Sequence, residues 1–296
     1  MQEHDRGLNR CLKRNNAMEN SSDLPSRQEI VNKYFQNDSP YWKDVYSTCG
    51  VQAENIRDRH AAVLEWIDEL SLAPGSQVLE IGCGAGFMAI ALARSGLRVL
   101  AVDSVEAMID LARSNAKKAG ASDLLSFGVA DAHSLASDDS SFDLVVAIGV
   151  IPWLARPEAA MQEMARVTKP GGHVILTTSN SAGLINLLDP IICPLFQPLK
   201  RKVKNVLVHL GLRRQTPNKT FHSNGYIDEI LRSLGLVKVK GMTRGFGFSF
   251  FRRSVFPEPL GTDINRKLQR LADQNTPGFR SIGRAYFVLA RKMAAD

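Results

Sequence analysis

The chain has 296 residues, of which 44% are hydrophobic, and its 37 Lys and Arg exceed its 30 Asp and Glu to give a formal charge of +7. This length and apolar content suffice for a complete buried core, and no run approaches the roughly 18 apolar residues of a membrane-spanning helix. The four cysteines (Cys11, Cys49, Cys83, Cys193) are scattered, which argues against a disulfide framework or a zinc site and favours a reducing compartment, the cytoplasm.

The N-terminal part of the chain divides into a polar tail and two helices. Residues 1–26 are charged and Asn-rich without an apolar centre, so we predict a disordered tail and not a secretory signal. Helical spacing predicts helices over 26–35 and 55–70. Four aromatic residues lie in the segment that begins at the end of the first helix, and we expect at least one of them to contact a bound ligand, the alternative being packing on the sheet edge: Tyr34, Tyr41, Trp42 and Tyr46.

The stretch Val-Leu-Glu-Ile-Gly-Cys-Gly-Ala-Gly-Phe at 78–87 predicts a buried strand, a glycine-rich turn and a helix. Glycines at 82, 84 and 86 let the backbone bend sharply and a ligand approach closely. Phe87 stands where a dinucleotide fingerprint has its third glycine, and the carboxylate of Glu80 would repel phosphate and attract an amine. Both departures favour a small cationic nucleoside, the alternative being a tight turn without a ligand.

Three further predicted strands end in residues that suit a nucleoside. The strand over 98–103 ends in Asp103, about 20 residues after the glycines, where an acid binds ribose hydroxyls. The strand over 124–129 precedes Asp131, which is positioned to accept from an adenine amine. The strand over 142–150 brings Ile148 to the same rim. Each acid taken singly is also explained as a helix N-cap, but their recurrence at successive strand ends favours a binding site.

A last motif, Arg-Val-Thr-Lys-Pro-Gly-Gly at 166–172, precedes a fifth strand predicted over 173–178. With it, residues 77–180 resemble the class I S-adenosylmethionine-dependent methyltransferases, and the chain as a whole resembles those of ubiquinone and menaquinone biosynthesis. The resemblance implies an α/β fold with a doubly wound, Rossmann-like, seven-stranded sheet whose last strand is antiparallel. It also implies N-terminal cap helices and a helical lid inserted after the fifth strand.

The resemblance further implies S-adenosylmethionine as the cofactor. The glycine turn would line its methionine part, Asp103 would bind the ribose, Asp131 and Ala132 the adenine, and Ser104 and Met108 would flank the adenosine. No metal ligands are predicted. The full predicted cofactor site is Glu80, Gly82, Cys83, Gly84, Gly86, Asp103, Ser104, Met108, Asp131, Ala132 and Ile148.

The predicted organisation is a tail (1–26) followed by one methyltransferase domain (27–296). Within that domain we expect cap helices at 27–75, a cofactor-binding core at 76–180, a lid at 181–225, and C-terminal strands with a helix at 226–296.

The lid sequence is basic and partly apolar. Between Pro190 and Ile227 there are seven Lys or Arg and no acid, next to apolar residues at helical spacing over 199–212. This pattern predicts a helix that closes over the active site, with peripheral contact to the inner face of a membrane through 184–213. Nucleic acid is disfavoured as a partner because no RNA-binding module is recognisable.

The remaining predictions concern the acceptor. His222 and His133 are the candidate bases for a hydroxyl acceptor, and Phe246, Phe248, Phe250 and Phe251 are expected to line an apolar pocket or to pack in the core. We predict methyl transfer to a hydrophobic small molecule at oxygen: a quinol, phenol, fatty acyl or polyketide-like compound. The alternatives are an N- or C-methyltransferase of a small metabolite, a non-catalytic partner protein of this fold, and an NAD-dependent oxidoreductase.

Overall fold

The computed structural model describes the chain from the first predicted helix to the last strand, with gaps. The described residues are 26–44, 51–121, 123–184, 193, 196, 202–203, 206, 217–246, 249–250, 253–254, 257–274 and 276–294. The predicted tail, apart from its last residue, and most of the predicted lid lie outside these residues, as do Phe248 and Phe251.

The described residues form nine strands, seven of which build one sheet. The strands are β1 (Gln77–Ile81), β2 (Arg98–Asp103), β3 (Leu125–Val129), β4 (Phe142–Ala147), β5 (Thr168–Ser179), β6 (Leu236–Arg244), β7 (Ser249–Phe250), β8 (Arg253–Ser254) and β9 (Ala285–Lys292). The order across the large sheet is β3-β2-β1-β4-β5-β9-β6, with the first five strands mutually parallel. The last strand in sequence, β9, lies between β5 and β6 and is antiparallel to both, so the predicted fold class is confirmed.

Helices cover both faces of the sheet. The α-helices of the described residues are α1 (Arg27–Asp44), α2 (Val51–Glu69), α3 (Phe87–Arg94), α4 (Glu106–Ala119), α5 (Pro157–Val167), α6 (Asn224–Ser233) and α7 (Glu258–Asp273). One core cluster unites α2, α3 and α4 with one face, and a second unites α5 and α6 with the other. The central strands are therefore buried on both faces, which is why their sequences are continuous apolar runs.

Local sequence signals set the helix ends. Ser26 and Glu29 form a capping box: the Ser26 N–H donates to Glu29 Oε2 at 2.7 Å and the Glu29 N–H donates to Ser26 Oγ at 3.2 Å. Ser223 caps α6 by accepting from the Tyr226 N–H, and Gly120, with φ of 64°, terminates α4.

The strand β5 begins five residues before the predicted position. Phe142 pairs with Thr168, but Leu144 pairs with His173, so the residues at 169–172 form an irregularity within the pairing instead of a loop ahead of it. A Cβ on Gly172 would lie 2.9 Å from the Lys169 carbonyl oxygen and 3.0 Å from that of Asp143. The glycine is therefore needed for two backbones to approach each other.

The topology gathers the carboxyl ends of β1 to β5 at one edge, where ligands bind in sheets of this kind.

Phe246 was predicted either to line a pocket or to pack in the core. It is only 1% exposed and packs with Ala272, so it packs in the core. In the part of the chain described here, no helix combines the length and the apolar character required to cross a bilayer.

Candidate functional site

The glycine turn after β1 is held by the neighbouring strand. The N–H groups of Gly82 and Cys83 both donate to the carbonyl oxygen of Val102, at 2.7 and 3.0 Å. Gly82 has φ of 68°, and a Cβ there would lie 2.4 Å from Val150 Cγ2, whereas a Cβ on Gly84 would meet nothing within 4 Å. Packing thus requires glycine at 82, while 84 faces open space in which a ligand can approach the backbone.

Asp103 at the end of β2 fixes the other side of the turn. Its Oδ2 accepts from the Gly84 N–H and its Oδ1 from the Val105 N–H, each at 3.0 Å. Burial raises the pKa of this carboxyl, and the backbone N–H donors oppose that rise. The Ser104 N–H is a third backbone donor, and since a carboxylate has about four acceptor sites, one remains for the predicted contact with the ribose.

Glu80 lies beneath the turn and is 3% exposed. It accepts a hydrogen bond from the backbone N–H of Ala89 in the first turn of α3, while its Oε2 is buried and has no hydrogen-bond partner among the described residues. Burial raises the pKa of Glu80 to about 8, with a further contribution from Asp103.

The predicted adenine residues follow β3. Asp131 is 57% exposed, and Ala132 is buried. Asp131 Oδ1 accepts from the backbone N–H of His133 at 2.9 Å and pairs with its Nδ1 at 2.6 Å. Burial alone would raise the pKa of Asp131, but these contacts with His133 outweigh it and lower the pKa.

The ring of His133 is engaged on both sides. Its Nε2 accepts from the Arg156 N–H at 3.3 Å, which leaves the proton on Nδ1 to donate to Asp131. In this conformation neither nitrogen has a lone pair available for a substrate proton. The ring instead orients the carboxylate of Asp131, and the prediction of His133 as a base stays untested.

Helix α1 lies across the rim. Asn32 Oδ1 accepts from Ser104 Oγ and from Gln28 Nε2, each at 3.0 Å, and Gln28 Oε1 accepts from the Ala155 N–H at 3.4 Å. The helix thus connects the segment after β2 with the segment after β4. Met108, predicted beside the adenosine, is buried in α4 with 2% exposure.

Aromatic rings of α1 pack on the 3-10 turn that follows β4. Tyr34 stacks on Trp153 with centroids 6.0 Å apart, and Phe35 meets the same ring edge-on at 5.2 Å. Lys219 Nζ lies 4.8 Å from the Trp153 centroid. Trp153 was absent from the sequence predictions, although its position directly after the fourth strand is the signal that could have found it. Of the other predicted aromatics, Tyr46 and the side chains of Tyr41 and Trp42 lie outside the described residues.

Arg59 was also missed by the sequence analysis. It extends from α2 to the turn after β4, where a Cβ on Gly149 would lie 2.9 Å from its NH1 atom. Its positive charge adds to burial in lowering the pKa of His60 to about 3. Arg59 follows Ile56 by three residues and precedes Val63 by four, which places a cation on the apolar face of a helix. That unusual position is the sequence signal that could have identified it.

Ile148, a predicted cofactor contact next to Gly149, packs against the first core cluster.

His222 lies at the carboxyl end of β5. Its backbone N–H donates to the Ser179 carbonyl oxygen, and its carbonyl oxygen accepts from the Ser181 N–H, each at 3.0 Å. The ring stacks on Tyr226 with centroids 5.4 Å apart, and Nε2 is buried without a hydrogen-bond partner in the described chain. Burial lowers the pKa of His222, Glu158 opposes this, and Arg27 adds to it.

The positions of the sequence-predicted residues therefore agree on one edge. Asp103 bonds to the glycine turn directly, Asp131, Ala132 and Ile148 follow β3 and β4, and His222 follows β5 on the same edge. Within the described residues no group of three His, Cys, Asp or Glu side chains could hold a metal ion.

Residues 79–176 match the family model of a methyltransferase domain. This segment is a methyltransferase domain. The prediction of a class I S-adenosylmethionine-dependent methyltransferase domain is thereby confirmed.

Two curated relatives are similar to the methyltransferase domain. The chain is 35% identical over 118 residues to a ubiquinone biosynthesis O-methyltransferase of Paracidovorax citrulli, a match that covers 40% of this chain and 49% of that protein. It is 37% identical over 112 residues to a biotin biosynthesis bifunctional protein of Cellvibrio japonicus, covering 38% of this chain and 21% of that protein. The chain thus spans half or less of these relatives, and the first agrees with the predicted resemblance to the ubiquinone type.

Solved structures share the fold around the methyltransferase domain. The magnesium protoporphyrin IX methyltransferase of Synechocystis, solved with bound S-adenosylhomocysteine (SAH), superposes with a TM-score of 0.60 at 18% identity. The alignment covers 90% of this chain and all of that chain. At 18% identity, this likeness shows a shared fold and carries no information about the substrate.

Proposed function

We propose that this protein is an S-adenosylmethionine-dependent methyltransferase that acts on a hydrophobic hydroxyl compound. The observation that carries the cofactor assignment is the pair of acids beside the glycine turn: Glu80 is buried with an unpartnered Oε2, and the partly buried Asp103 bonds to Gly84, which adjoins open space. A buried carboxylate oxygen without a partner is costly, and a cationic nucleoside would remove that cost.

The proposed cofactor contacts follow from the chemistry of each part. Asp103 would accept from the ribose hydroxyls, and Asp131, oriented by His133, would accept from the adenine amine. Arg59 beside Gly149 would pair with the methionine carboxylate, because a guanidinium suits a carboxylate in a two-bond geometry. Gly82 contacts Val150, the residue after Gly149, so the turn and the guanidinium belong to one neighbourhood.

The chemical demands on the protein are modest. A methyl group on a sulfonium is already activated when the cofactor is bound, so the protein must align the acceptor, exclude water and remove a proton. The aromatic surface of Tyr34, Phe35 and Trp153 suits an apolar acceptor. Curated relatives named ubiquinone biosynthesis O-methyltransferase support transfer to oxygen.

We assign His222 as the base that takes the hydroxyl proton. Since burial lowers its pKa, the ring is neutral at pH 7 and its unpartnered Nε2 offers a lone pair. The stacked Tyr226, whose hydroxyl donates to Glu158, holds the plane of the ring.

The test is transfer from labelled S-adenosylmethionine into quinol, phenol and fatty acyl pools, followed by kinetics of His222→Gln. We expect kcat to fall about 100-fold while SAH binding stays unchanged. The wild-type rate should fall as pH drops through the pKa of His222, because the ring gains a proton there. The pH–rate profile of the variant should not show this fall. The control is His173→Gln in β5, which should retain the wild-type kcat and pH profile. An unchanged kcat in His222→Gln would refute the assignment.

We also propose that 184–213 contacts an anionic membrane surface. The described residues of this segment expose apolar side chains: Phe196 is 51%, Val203 52% and Val206 57% exposed. Lys202 beside them is exposed as well. Exposed valines three residues apart next to basic residues suit binding at a lipid interface.

A further inference from the structure

Two carboxyl groups adjoin the glycine turn, the buried Glu80 of β1 and the partly buried Asp103 that ends β2. Glu80 is 3% exposed, and Asp103 adds to the rise in the pKa of Glu80. In the described chain neither acid forms an ion pair with Lys or Arg. Burying a charged carboxylate without a partner is unfavourable, and burying two side by side is more so.

The groups that surround Glu80 supply no positive charge. Its neighbours in the sheet are Ala101 on β2 and Val146 on β4. From α3 it receives only the backbone N–H of Ala89. The remaining titratable neighbours are Asp103 and the Cys83 thiol, whose pKa is raised by burial and by both acids, so that it stays neutral.

The two acids differ in the number of backbone hydrogen bonds that they accept. Asp103 has both oxygens on backbone N–H donors, which favour its ionised form. Glu80 has one such bond, and its Oε2 has no partner in the part of the chain described. Glu80 is therefore the member of the pair that carries a proton when no ligand is bound, consistent with its pKa of about 8.

We propose that Glu80 acts as a charge-selective element of the cofactor site: it gives up its proton when a cationic cofactor binds, and it thereby favours the sulfonium donor over the neutral thioether product. The inference rests on the proposed function. The Glu80 O–H bond breaks and the proton passes to solvent, while the carboxylate remains to interact with the ligand's positive charge. S-adenosylmethionine and SAH carry the same ammonium group, so a difference between their binding affinities reports on the sulfonium.

The test is calorimetric titration with S-adenosylmethionine and with SAH in two buffers of different ionisation enthalpy at pH 6.5. At this pH the amino group of each ligand is charged. We expect release of about one proton per donor bound, a smaller release with SAH, and donor affinity that rises from pH 6 to 7.5. In Glu80→Gln, which resembles the protonated acid, proton release and its pH dependence should vanish. The preference for donor over product should fall about tenfold.

The exposed Glu65 on α2 supplies the matched control, and Glu65→Gln should behave as wild type. Circular dichroism and thermal melts show whether each variant is folded. If Glu80→Gln does not fold, the wild type still tests the inference, because donor binding without proton release contradicts it. Saturable donor binding without proton release would overturn the inference and leave the proposed function intact, whereas absence of saturable binding by the folded wild type would overturn both.

Discussion

At the scale of single residues, charge defines the site. Arg59 reaches the turn after β4 from α2, and Glu80 and Asp103 lie at the ends of β1 and β2. A cation on one side and two acids on the other match a zwitterionic amino acid group with an added sulfonium. The dinucleotide alternative fits this pattern poorly, because two acids beside the turn would repel a pyrophosphate.

Replacement of Arg59 tests the proposed carboxylate contact. Wild-type protein should bind S-adenosylmethionine about tenfold more tightly than its decarboxylated analogue, because the carboxylate pairs with the guanidinium. Arg59→Gln should bind both ligands equally, as measured by equilibrium titration. Arg57→Gln, a change of an exposed residue on the same helix, should keep the wild-type preference. If Arg59→Gln still discriminates, the carboxylate is bound elsewhere.

Local patterns made some of these residues predictable and left others hidden. The glycines at 82, 84 and 86 and the acid at 103 follow from strand and turn signals within a short window, and the structure brings them together. Arg59 and Trp153 depend on where α2 and the turn after β4 come to lie, which no local spacing encodes. The hydrogen bonds of His133 with Asp131 and Arg156 likewise arise only in the folded chain.

At the scale of elements, the proposed acceptor surface joins α1, which lies outside the matched 79–176, to Trp153 within it. Helix α1 contacts Ser104 and Ala155 through Asn32 and Gln28. The segment that enters α6 is held on the core by the bond from the Thr220 N–H to the Pro152 carbonyl oxygen at 2.8 Å. Thr220 belongs to the predicted lid (181–225), whose exposed apolar residues Phe196, Val203 and Val206 lie closer to its N-terminal end than Thr220 does.

Neutralising the basic part of the lid tests membrane contact. The full chain should co-sediment with vesicles containing phosphatidylglycerol, and binding should weaken as salt screens the charges. Changing the four basic residues of 200–204 to Gln should reduce binding at least about tenfold. The control changes four exposed basic residues elsewhere to Gln: Lys117, Lys118, Lys267 and Arg270. Equal sedimentation of both variants would refute the proposal.

At the scale of the whole molecule, one topological fact organises the site. The order β3-β2-β1-β4-β5 with parallel pairing brings five carboxyl ends to one edge, so acids that are far apart in sequence surround one turn. The antiparallel β9 between β5 and β6 completes the sheet and closes the second core face. This arrangement could be predicted from the motifs. The irregular pairing at 169–172 could not, because it depends on the Phe142 to Thr168 register.

The most direct test of the account is equilibrium binding of SAH to the full chain and to Asp103→Ala. Wild-type protein should bind one equivalent saturably, and the variant at least about tenfold more weakly, because it loses charged hydrogen bonds to the ribose. Asp110→Ala, a change of an exposed acid on α4, should bind as wild type. Folded wild-type protein that shows no saturable binding, or that binds NADH instead, would contradict the account, as would unchanged affinity in Asp103→Ala.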